Sequence, residues 1–128
     1  MKMKDQVTSI EQSKRLIKLG VPADKASMVW LAPMDTNEYH LTTKIGYCCP
    51  DERDIPAFTG ADLLGLLPPK ISCQDPSDGN FRMRRYMGEN GIEWVVDYDR
   101  FIANDVSIIN ALVETIILLV STKHELNL

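Results

Sequence analysis

Cys48 and Cys49 stand side by side in "IGYCCPDERDIPAF", residues 45–58, against a proline and a group of acids. With Cys73, His40 and His124 they are the soft ligands of the chain. A structural zinc site draws its ligands in close pairs, usually with about two to four residues between the members of each pair. The chain has no C-x-x-C and no H-x-x-x-H pair. Adjacent residues on a strand project to opposite faces, so Cys48 and Cys49 cannot readily share one ion. The redox pattern C-x-x-C is missing as well. These residues therefore imply no metal, no redox centre and no cofactor, and the cysteine pair marks the end of a strand. His40 falls on the polar side of the preceding segment and reads as a solvated residue.

Carboxylates are the next candidates. Asp51, Glu52 and Asp54 form one cluster, and Asp97, Asp99 and Asp105 another. Paired carboxylates can carry acid–base or metal-assisted chemistry, but runs of acids in loops are ordinarily solvated. No G-x-S-x-G, glycine-rich phosphate loop or H-E-x-x-H accompanies them. The expectation is a protein that is not an enzyme and has no catalytic residue. A small enzyme with a carboxylate-based site is the second alternative.

A third grouping is "RMRRY", where Arg82, Arg84 and Arg85 combine charge with the stacking ring of Tyr86. The formal net charge of −4 opposes any general attraction to nucleic acid or to an anionic membrane. Cross-strand pairing with Asp97 and Asp99 accounts for Arg82 and Arg84 without a ligand. Arg85 is the exception, because it interrupts an apolar face. Nucleic-acid binding through residues 82–86 is thus the alternative reading.

The elements that position these residues follow from the pattern. A chain of 128 residues, 45% hydrophobic and 25% charged, suits a single globular domain over 1–128. Its longest apolar run, "IILLV" at 116–120, is far short of the about 20 residues that span a bilayer. With no signal-peptide core near the N-terminus, a cytoplasmic protein without a membrane partner is expected. Thr8 or Ser9 caps a first helix with Glu11 or Gln12, and Gly20 ends it with Val21 packing on Leu16. Pro22 suits the first turn of a short helix. "MVWLA" and the alternating "YHLTTKIGY" read as strands. Thr59 and Asp62 cap a leucine-rich helix that Pro68 and Pro69 stop.

"FRMRRYMGENGIEWVVDYDR" reads as a hairpin on Asn90-Gly91. A two-residue turn there sets Arg84 opposite Asp97; a four-residue loop over 88–91 shifts the pairs and keeps the same faces together. Asn104 is read as the cap of a long C-terminal helix whose core face is Ile109, Leu112, Val113, Ile116 and Val120. The fold expected is α+β: an antiparallel sheet of about four strands, in two hairpins, with helices packed on it.

Three blocks, "SIEQSKRLIKLGVPADKASMVW", "IPAFTGADLLGLLP" and a Tyr-Asp segment leading to "INALVETIILLV", cover most of the chain. In that order they resemble a family of small proteins from prophages and mobile elements of gut Bacteroidetes. The matching residues are caps, helix stops and apolar stripes, and the Cys48-Cys49 pair departs from the family's pattern. The resemblance implies a phage-related accessory protein in a cytoplasmic setting and carries no catalytic residue onto this chain.

The expected activity is protein binding. Leu118 falls on the stripe of Ser107, Asn110, Glu114 and Ser121, where a solvated helix would carry a polar residue. Apolar residues at 116–120 sweep the whole helix circumference. A homodimer through the C-terminal helix, with Leu118 in the interface, follows as an expectation.

Overall fold

A computed structural model describes residues 3–33, 37–44, 52–71, 79–89, 91–98 and 101–128. It combines helices with antiparallel sheets in an α+β arrangement. Among the described residues the strands form two sheets of three, where one sheet of about four was expected. The chain divides into two compact units, Met1–Asp62 and Leu63–Leu128.

In the first unit, helix α1 (Ile10–Lys18) begins at a reciprocal capping box. The Gln12 N–H donates to Ser9 Oγ at 3.2 Å, and the Ser9 N–H donates to Gln12 Oε1 at 3.0 Å. The helix ends in a Schellman motif. Gly20, at φ +102°, donates to the Ile17 carbonyl, and Val21 to that of Leu16 at 3.1 Å. Both Leu16 and Val21 are buried. Ser9, not Thr8, is the cap because Thr8 is committed to the interior. Its Oγ1 lies 2.7 Å from Ser13 Oγ and accepts the Phe58 N–H at 3.0 Å. The Thr8 carbonyl accepts the Trp30 indole N–H at 3.0 Å.

Strands β1 (Met28–Leu31), β2 (His40–Thr43) and β3 (Ile55–Ala57) form the first sheet in the order β2-β1-β3. Met28 faces Thr43 on one side and Ala57 on the other. Val7, Met28 and Ala57 make a buried cluster on which Trp30 and Leu41 pack. β3 is the strand that sequence pattern hides: it is short and contains Pro56, which only an edge strand tolerates. Asp54, just before it, accepts the Ala32 N–H at 2.7 Å.

Helix α2 (Gly60–Leu66) runs from the first unit into the second. Its cap is reciprocal too: Asp62 N–H donates to Thr59 Oγ1 at 3.1 Å, and Thr59 N–H to Asp62 Oδ2 at 2.9 Å. The last carbonyls of α2 are met by the chain's own tail, through Asn127 N–H to Leu66 and Asn127 Nδ2 to Gly65.

The second sheet has the order β4-β5-β6, from β4 (Arg82–Gly88), β5 (Gly91–Tyr98) and β6 (Phe101–Asp105). The register pairs Gly88 with Gly91, so Arg82, not Arg84, faces Asp97. These are the pairs of the longer-loop alternative. Gly91 takes φ +104°, a conformation that a side chain disfavours.

The expected cap at Asn104 is corrected. Asn104 lies inside β6, opposite Val95, and helix α3 (Ile108–Ser121) starts at Ser107, whose Oγ accepts the Asn110 N–H at 3.3 Å. α3 packs against β5 and β6. Its buried residues are Ile109, Ala111, Leu112, Val113, Thr115, Ile116 and Leu119. Val120, expected in the core, is only half-buried, and Leu119 takes that place. Thr115 is buried at no cost in unmet polarity, since its hydroxyl donates to the Ala111 carbonyl at 2.8 Å. Among the described residues, no helix is long and apolar enough to cross a membrane.

Candidate binding face of the second sheet

Alternation along β4, β5 and β6 sorts their residues between two faces. Val96, Tyr98 and Ala103 share one face with Phe101 and are buried. The Phe101 ring meets the His124 ring edge-on, with centroids 5.3 Å apart. The Tyr98 hydroxyl donates to the Pro68 carbonyl at 2.5 Å, and burial holds its pKa far above the ordinary tyrosine value. The other face carries Arg82, Arg84 and Tyr86 from β4, Glu93, Val95 and Asp97 from β5, and Ile102 and Asn104 from β6. Arg82, Arg84, Tyr86, Ile102 and Asn104 are all exposed there. It is an open face.

Its charges are largely spent on one another. Arg82 Nε donates to Asp97 Oδ1 at 3.0 Å, with the arginine side chain 68% exposed and the aspartate 7%. The Tyr86 hydroxyl donates to Glu93 Oε2 at 2.5 Å, and that bond raises the tyrosine pKa. Arg84 has no ion pair among the described residues. With Tyr86, Ile102 and Asn104 it rims a shallow depression of about 430 Å³ whose buried floor is Val95.

Of the four residues expected to contact nucleic acid, Arg82, Arg84 and Tyr86 share this face and Arg85 does not. Arg85 lies on the opposite face from Arg82, Arg84 and Tyr86, paired with Trp94. Its guanidinium sits over the indole, 5.4 Å from the ring centroid. This contact explains a cation among apolar neighbours.

Asp97 and Asp105 lie on opposite faces. Asp105 Oδ1 accepts the Ser107 N–H at 2.8 Å and the Asn110 amide at 3.3 Å, a role at the start of α3. Asp54 supports the start of β3. Asp51, Asp99, Cys48, Cys49 and Cys73 lie outside the described residues. His40 is exposed in β2. Among the described residues, no group of three or more His, Cys, Asp and Glu could hold a metal ion.

Leu118, the candidate for self-association, is half-buried in α3. Its neighbours Ile117 and Val120 are also half-buried.

Ile102 and Asn104 were not legible as members of this face, because Asn104 resembled a helix cap. The alternation of "FIAND" was the available signal: Phe101, Ala103 and Asp105 against Ile102 and Asn104. No protein-family model, curated protein or solved structure matches the chain.

Proposed function

We propose that the protein is a non-enzymatic, phage-type accessory protein that works by holding a protein partner on the open face of the β4-β5-β6 sheet. The observation that carries this reading is the exposure of Tyr86 (43%) and Ile102 (60%) beside the buried Val95 on a sheet face whose charges nearly cancel. Protein interfaces draw on such residues: aromatic and arginine side chains over an apolar centre, ringed by polar groups. A nucleic-acid surface needs uncompensated positive charge to displace counterions. Here Glu93 and Asp97 share the face with the arginines, Arg82 is paired, and Arg85 points the other way.

The test uses immobilised protein and an extract of the producing cells, with bound proteins identified by mass spectrometry. A partner retained by the wild type and by an Ile92→Ser control, but lost from Tyr86→Ser/Ile102→Ser, supports the reading. Ile92 is the right control because it is exposed on the opposite face. Equal retention on all three proteins, or retention abolished by nuclease, overturns it.

Self-association through α3 is a second reading. The apolar side chains of Ile117, Leu118 and Val120 each keep surface in solvent, and a twofold partner would cover them in both chains at once.

A further inference from the structure

We infer that the occupant of the open face is an extended peptide segment that sets a carboxylate against Arg84 and an apolar side chain into the depression over Val95. The inference rests on the protein-binding reading and adds the partner's chemistry. It follows from a charge inventory of the face. Asp97 is held by Arg82 at 3.0 Å, and Glu93 by the Tyr86 hydroxyl at 2.5 Å. Arg84 is then the cation left without a carboxylate among the described residues of the face. Arg84, Tyr86 and Asn104 line the same depression, so three polar groups converge at one rim. Ile102 forms the apolar part of the rim and Val95 the floor. A few convergent polar groups above an apolar base are what orient a ligand in a binding depression.

An arginine presents a planar fork that matches a carboxylate. Phosphate would match it too, but the fixed negative charges of Glu93 and Asp97 lie on the same face and disfavour a polyanion. A single carboxylate flanked by apolar residues meets the cation without carrying a second charge toward those acids. The shallowness of the depression suits one side chain of an extended segment.

The experiment is an amide NMR titration of the full chain with acetyl-Leu-Glu-Leu-amide, its Gln and Lys counterparts, and a thymidine oligonucleotide. The Glu peptide is expected to shift the amides of Arg84, Tyr86, Val95, Ile102 and Asn104. Its affinity should exceed that of the Gln peptide by about two- to fivefold, the range of a solvent-exposed ion pair. Arg84→Gln should erase that preference while leaving the rest of the spectrum in place. The inference is overturned if these amides do not move, if the Gln or Lys peptide binds as well as the Glu peptide, or if the oligonucleotide moves them instead. Partner loss in the Tyr86→Ser/Ile102→Ser capture, together with silent peptides, rejects the carboxylate chemistry and leaves the protein-binding reading standing.

Discussion

Arg82 Nε lies 3.0 Å from Asp97 Oδ1, joining an arginine 68% exposed to an aspartate that is nearly buried. The two residues are direct cross-strand partners in β4 and β5. A wholly exposed pair contributes under about 1 kcal/mol, whereas stranding a buried charge costs several. Arg82→Ala is therefore expected to lower the unfolding free energy by about 1–2 kcal/mol, between those limits. Arg84→Ala, which breaks no ion pair among the described residues, should stay within about 0.5 kcal/mol of wild type. Urea denaturation of both variants checks this, and equal losses would contradict the pairing.

Thr8 is fully buried and its hydroxyl serves two partners, Ser13 Oγ and the Phe58 N–H. Thr8→Val keeps the shape and deletes the oxygen. The Phe58 N–H is then left without its acceptor, at a cost of about 1–3 kcal/mol. A melting curve indistinguishable from wild type would show that the hydroxyl network does not hold Val7–Ser9 against the end of β3.

Asp62 links pH to stability. Burial pushes its carboxyl pKa up, but hydrogen bonds from the Ser27 hydroxyl and from the Thr59 and Ser27 N–H groups outweigh it, and the net value is lowered. A carboxyl with a lower pKa folded than unfolded contributes stability that is complete above the unfolded value, about 3.9. That contribution is lost as pH falls through the folded value. Unfolding free energies measured from neutral pH down into this acid range should fall more steeply for wild type than for Asp62→Asn. Parallel curves would remove Asp62 as the source.

On the self-association reading of α3, the wild type is expected to run as a dimer and Leu118→Glu as a folded monomer with a modest loss of stability. Light scattering with a far-UV melt reads both properties. A monomeric wild type ends the self-association reading, and an unfolded variant assigns Leu118 to the interior of its own chain.

Local chemistry made much of the fold legible. The Ser9–Gln12 and Thr59–Asp62 boxes, and Gly20 with Val21 on Leu16, obey rules that act within one helical turn. The sharing of faces in the β4–β5 hairpin follows from strand alternation alone. The Lys123 stop was not legible. It takes φ +64° beyond α3 without being glycine, with the His124 N–H donating to the Leu119 carbonyl.

What the sequence by itself determined is where α1 and α2 start and stop and which residues share a strand face, since both depend on neighbours a few positions away. Only the tertiary structure decided which strands assemble. β3 is three residues with a proline, and β6 imitates a helix cap, so neither has a local pattern strong enough to declare itself. Their identity comes from ladders with β1 and β5. The same holds for the candidate face. Val95 and Asp97 alternate correctly on any register, and alternation alone sets Arg85 apart from Arg82 and Arg84, but the burial of Val95 and Asp97 on that face required three strands to be set side by side.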